Sequence, residues 1–141
     1  MFLLDTNVVS ELRKVKAGKA HPGVANWAAR VDAGVLYVSA ITIMELEIGV
    51  KLLEQRDANQ GAILRAWFNS RVIPEFADRV LPINSAVARR CAHLHVPDSS
   101  SERDSLIAAT ALVYGMTVVT RNTAVFERTG AVVVNPWLVA T

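Results

Sequence analysis

Short apolar runs punctuate this chain: Phe2–Leu4, Val35–Val38, Val80–Ile83, Thr117–Thr120 and Val132–Val134. Each is bounded by polar or turn-forming residues, the pattern of strands buried on both faces. Between them, hydrophobic positions recur at helical spacing over Val8–Lys14, Gly23–Val31, Ile41–Gln55, Ala62–Phe76, Ser85–His95 and Glu102–Tyr114, with Gly115 as a C-cap. Strands this short alternating with helices predict an α/β fold around a largely parallel sheet. In such sheets ligands bind beyond the carboxyl ends of the strands, near the point where strand order reverses. The residues that immediately follow each strand therefore matter most.

Asp5 is the first of them. Met1-Phe2-Leu3-Leu4 runs directly into Asp5-Thr6-Asn7, so a buried strand delivers a carboxylate to the sheet edge. An ionised carboxylate held against apolar surface loses hydration and calls for a positive partner. On the helix from Ile41, Glu47, Lys51 and Glu54 fall into one polar arc at about 100° per residue. Glu45 does not join them; it falls between Ile41, Ile48 and Leu52, on the stripe expected to face the sheet, with Gly49 leaving room beside it. Taken as a lone residue it reads as a Glu whose stem packs while its head reaches water; beside Asp5 it reads as a second acid at the same edge. Asp104 opens a helix that is apolar almost all round, from Leu106 to Val113. Ser101-Glu102-Arg103-Asp104 resembles a capping box, which explains an acid in the first turn without explaining why a buried helix begins with one. Thr117–Thr120 ends in Arg121-Asn122, either an ordinary turn or a source of one hydroxyl and one amide oxygen at the same edge. Gathered at one sheet edge, three carboxylates repel one another and either hold protons or demand a cation. Oxygen ligands without His or Cys suit a hard ion, Mg²⁺ or Mn²⁺, able to activate water and bind phosphate.

Composition narrows the class without deciding it. The 141 residues read as one domain spanning 1–141, 52% hydrophobic and 20% charged, which excludes a disordered chain. A net charge of +2 is compatible with nucleic acid but too small to argue for it. Cys91 is the lone cysteine, so no intramolecular disulfide forms, and it reads as a small buried residue. There is no signal-peptide pattern and no run near the ~20 apolar residues of a membrane span, so the expectation is a soluble cytoplasmic protein with no membrane partner.

Taken in order, Leu3-Leu4-Asp5-Thr6-Asn7, Ser39-Ala40-Ile41-Thr42 leading to Glu45-Leu46, Asp104 through Ala111, Val119-Thr120-Arg121-Asn122 and Asn135-Pro136-Trp137 resemble a PIN-domain ribonuclease, a VapC-type toxin of the FitB-like kind. The resemblance runs end to end. It implies a three-layer α/β/α sandwich with a central, mostly parallel sheet and Mg²⁺-dependent endonucleolytic cleavage of RNA. It also implies a cognate VapB-type antitoxin, homodimerisation and toxin–antitoxin hetero-oligomers. By motif match Asp5, Glu45 and Asp104 carry over as metal ligands, and Thr6 and Thr120 as hydroxyls that orient ligands or water. The chain departs from the family at a fourth position: many relatives place an Asp where Asn122 stands or three residues later, and here those places hold Asn122 and Val125. A single metal, substrate-assisted metal binding and reduced activity all follow as readings.

Arg103 and Arg121 neighbour the acids and are candidates for gripping substrate, or for pairing with an acid. Arg13, Lys14, Lys16 and Lys19 form a basic run that is either a phosphate contact or a solvated helix end. His93 and His95 are two apart, on different helix faces, and His21 is remote, so the histidines make no metal site. Trp27, Trp67 and Trp137 read as core or interface, since no aromatic ladder accompanies them. Other classes stay in view. A weakened PIN domain would bind RNA or antitoxin without efficient cleavage. A phosphatase or phospho-acceptor domain would need a second acid near Asp5 or a Lys after Val118–Thr120. A pure interaction module leaves Glu45 unexplained.

Overall fold

The structure is a computed structural model, and it describes residues 1–138. Its sheet contains β1 (Phe2–Leu4), β2 (Leu36–Ser39), β3 (Val80–Leu81), β4 (Thr117–Val119) and β5 (Val133–Val134), in the order β3-β2-β1-β4-β5. Every pairing is parallel. The chain builds outward from β1 through β2 to β3, then returns to the other side of β1 with β4 and β5. Strand order thus reverses between β1 and β4, and the crevice beyond their carboxyl ends is flanked by Asp5 and Thr120.

Strand pleating sorts the core into layers. Leu4, Val38 and Val119 face one side, where they pack with Val8 and Val9 of α1 (Thr6–Leu12), Trp27 of α2 (Pro22–Arg30) and Leu46 and Val50 of α3 (Ala40–Arg56). Leu3 and Val118 face the other, against Ile107, Ala108 and Ala111 of a later helix and Phe126. Helices on both faces of a parallel sheet make the expected three-layer α/β/α sandwich. No helix among the described residues is long and apolar enough to cross a membrane.

Several boundaries differ from the sequence reading, each for a local reason. The helix expected over Ala62–Phe76 starts earlier, as α4 (Ala58–Trp67), because Asp57 caps it by accepting from the Gln60 N–H at 3.1 Å. It then passes through a π-turn over Phe68–Val72 into a last turn, α5 (Ile73–Glu75). Pro74 has no N–H to continue the ladder, which accounts for the irregularity. Val35 belongs to a 3-10 turn (Ala33–Val35) rather than to β2. Pro82 likewise ends β3 after Leu81. The helices α6 (Ser85–Leu94) and α7 (Glu102–Tyr114) stand nearly as read, whereas α8 (Thr123–Glu127) was not expected.

The stripe on α3 is also offset. Its buried residues are Thr42, Leu46 and Val50, while Leu52 is 59% exposed. Glu45 therefore sits on the flank of the buried face rather than at its centre.

Candidate active site

Asp5 ends β1 and opens α1, and its side chain serves both elements. Oδ1 accepts from the Thr6 N–H at 2.8 Å, which is the cap of α1. Oδ2 accepts from the Thr120 hydroxyl at 2.8 Å, tying β1 to the end of β4 across the switch point. The Asn7 amide donates to the same Oδ2 at 3.3 Å. Asp5 is only 4% exposed. Burial pushes its carboxyl above the usual aspartate range; the Thr120 and Thr6 bonds work against that, and the charges of Asp104 and Glu45 add to the rise. Among the described residues no Lys or Arg stands within ion-pair distance of Asp5 or Asp104.

Glu45 reaches the same crevice from α3. Its Oε1 accepts from the Thr6 hydroxyl at 2.6 Å, and the Thr42 hydroxyl lies 3.2 Å from that of Thr6. Its Oε2 lies 3.7 Å from Nη1 of Arg103, so Arg103 pairs with an acid, the second of the two roles considered for it. Arg121, by contrast, lays its guanidinium over the Trp137 ring, 5.4 Å from the centroid. Asp104 stands in the first turn of α7. The expected capping box does not form: Ser101 occupies the N-cap position without a side-chain cap bond. Asn122 is exposed, and its backbone N–H donates to the Thr120 hydroxyl at 2.9 Å. Val125, on α8, is partly buried and packs against the core cluster of Leu3, Ile107 and Phe126.

Thr6 and Thr120 therefore sit beside the acids, each holding one of them. Asn7 and Thr42 belong to the same network, and neither was singled out from the sequence. Asn7 also accepts from the Arg121 N–H at 3.4 Å, bracing the β4 turn against Asp5. Its signal was present, since residue i+2 at the start of a helix can turn back onto the capping side chain. Among the described residues, no three acidic, His or Cys side chains draw close enough to form a ready-made coordination sphere. Thr6 and Arg103 between them hold both oxygens of Glu45. The basic run from Arg13 is surface: Lys14 pairs with Glu11 at 3.1 Å and Arg13 lies over Trp67. His21 caps α2 through Nδ1, and Trp27 and Cys91 are buried.

The PIN-domain family profile matches residues 2–132. The chain belongs to the PIN-domain family. Within it, VapC ribonuclease Y4jK of Sinorhizobium fredii is 36% identical, over 97% of this chain and 98% of the relative. Toxin FitB of Neisseria gonorrhoeae is 35% identical, over 97% of this chain and 99% of that protein. Among solved structures, FitAB bound to an IR36 DNA fragment superposes with a TM-score of 0.88 at 33% identity, covering 100% of this chain and 99% of that one. This PIN domain is thus similar to the VapC and FitB proteins over nearly its whole length and shares its fold with FitAB.

Proposed function

We propose that this PIN domain is a metal-dependent endoribonuclease, the toxin of a toxin–antitoxin pair, with Asp5, Glu45 and Asp104 as its catalytic acids. One observation carries the reading: Asp5 is buried at the switch point, Glu45 and Asp104 add like charge beside it, and among the described residues no Lys or Arg pairs with it. A carboxylate so placed is stabilised by a cation, and an all-oxygen donor set fits Mg²⁺ or Mn²⁺ in type. When bound, such an ion would activate water and neutralise charge on a phosphate. Asp5, Glu45 and Asp104 are the residues to hold it.

The remaining steps belong to the protein's own groups. Thr6 N–H, Thr120 hydroxyl and Asn7 amide favour the ionised form of Asp5 and fix its direction. The Thr6 hydroxyl fixes Glu45 through Oε1, and Oε2, once released by Arg103, can orient a water and take its proton. Attack on phosphorus in line with the 3′-oxygen breaks the P–O3′ bond; the departing 3′-oxygen takes a proton from solvent, to which Glu45 gives up its own, leaving a 5′-phosphate and a 3′-hydroxyl. Arg103, half exposed and loosely held by Glu45, can exchange that contact for a phosphate oxygen. The FitB and VapC relatives support a cognate antitoxin as partner, with RNA as substrate.

The reading of a weakened enzyme rests on Asn122 and Val125. Asn122 is exposed beside Thr120 and brings no charge to the crevice. The test is cleavage of RNA with Mg²⁺ and with chelator, products analysed for their ends, for the native chain and Asn122→Asp. Metal-dependent fragments with 5′-phosphates support the enzyme, and a sharp rise in Asn122→Asp marks the native crevice as electrostatically weak. Binding of RNA without fragments in either protein refutes the nuclease reading.

A further inference from the structure

A cavity of about 530 Å³ opens between the α6–α7 loop and α8, and Asp104 forms part of its wall. Its volume lies in the range of ligand pockets, roughly 300–1,000 Å³. Its lining is mixed. Leu94, Pro97 and Val125 give it an apolar side, while Ser99, Ser101 and Arg128 bring hydroxyls and a guanidinium. These polar groups are largely uncommitted. Ser101 makes no cap bond to α7. Arg128 has no ion pair among the described residues and spends only Nε, on the Ala124 carbonyl at 3.4 Å. Ser100 is different: its hydroxyl bonds to that of Ser105 at 2.5 Å, closing one wall of the cavity.

From this arrangement we infer that the cavity receives the nucleoside next to the scissile phosphate of a single-stranded RNA, and so sets the sequence at which the chain cuts. The inference rests on the nuclease reading for its orientation: Asp104 is shared by the acids and the cavity, so a phosphate held at the acids leaves its neighbouring nucleoside at the cavity mouth. Single-stranded RNA is recognised by splaying bases onto apolar or guanidinium surfaces and reading their edges with hydrogen bonds. Leu94, Pro97 and Val125 supply the apolar surface, Arg128 the guanidinium, and Ser99 and Ser101 the edge contacts.

The test uses Ser99→Trp, which fills the cavity, and Arg128→Ala, which empties its cationic side. Both positions are exposed, so thermal unfolding is expected to stay unchanged. Binding of fluorescein-labelled single-stranded RNA decamers of varied sequence is measured with each change in an Asp5→Asn background, which prevents cutting. Loss of one stacked base predicts roughly tenfold weaker binding of the preferred sequence and a flattened preference among the decamers. With Asp5 restored, the same variants are expected to cut RNA still, with an altered nucleotide preference beside the cut. Unchanged affinity and unchanged cut-site preference in both variants overturn the inference and leave the cavity to a side chain of a protein partner. Failure of the nuclease reading shows separately, as absence of cutting by the native chain, and the binding measurements still decide the cavity.

Discussion

At the residue scale, the crevice is governed by a carboxylate that is well hydrogen-bonded and badly placed for its charge. Burial raises the folded-state pKa of Asp5 above its ordinary value of 3.8. The protonated form is thus favoured by folding, and that stabilisation is fully present below about pH 4 and lost as pH rises through the folded pKa. Compared with Asp5→Asn by denaturant unfolding in chelator, the native chain should lose ground steadily as pH rises from 4. Mg²⁺ or Mn²⁺ should restore it. A pH-independent difference between the two would mean that the charge on Asp5 is already compensated. Thr120→Val removes the buried hydroxyl that opposes this rise while keeping its shape. Its cost should be about 1.5–3 kcal/mol, the range for a hydrogen bond to a charged group. The acid limb of the activity profile should move to higher pH with it, a shift that a purely structural role for Thr120 does not produce.

At the scale of elements, the site depends on α3 being held where Glu45 meets Thr6. The α3–α4 hairpin does this with Arg65, whose guanidinium lies 2.6 Å from Glu47 Oε2 and 3.0 Å from Glu54 Oε1. The helices cross closely at Gly61, where a Cβ would come within 2.5 Å of the Glu54 Cα. Gly61→Ala should therefore destabilise the protein by about 1–3 kcal/mol, because the obstacle is backbone and cannot rotate away. Denaturant unfolding checks this, and a neutral result would mean that the hairpin slides freely. Such a crossing is invisible in sequence, where Gly61 reads only as a weak helix position. Elements set by local chemistry were legible: β1 and α7 stand where periodicity placed them, whereas β3 stops before Pro82, short of the expected Ile83. The break before Pro74 was legible in principle, since the missing N–H was in plain view. The offset on α3 was not. Which of two neighbouring apolar stripes is buried depends on tertiary packing, and the sheet chose Thr42, Leu46 and Val50 over Leu52.

At the scale of the molecule, strand order 3-2-1-4-5 brings residues from opposite ends of the chain to one crevice, as in the 115-residue separation of Asp5 and Thr120. The sequence carried Asp5 and Asp104 because one follows a strand and the other opens a helix, and Glu45 because it falls outside the polar arc of its own helix. It did not carry the way Thr6 and Asn7 knit them together, since those bonds depend on how α1, α3 and β4 meet in space. The capping box at Ser101 misled for the same reason: its residues fit the local pattern, while α7 starts without the bond. The same topology gives the account its central claim, that the crevice at the β1–β4 reversal is where a metal-dependent nuclease cuts RNA. Single-turnover cleavage of RNA in Mg²⁺ by the native chain and by Asp5→Asn tests it most directly. The expected result is metal-dependent fragments from the native chain and a loss of at least about 100-fold on removing the charge, the order seen when one strong electrostatic group leaves an active site. Equal cleavage by the two proteins would contradict the claim and move the chemistry elsewhere.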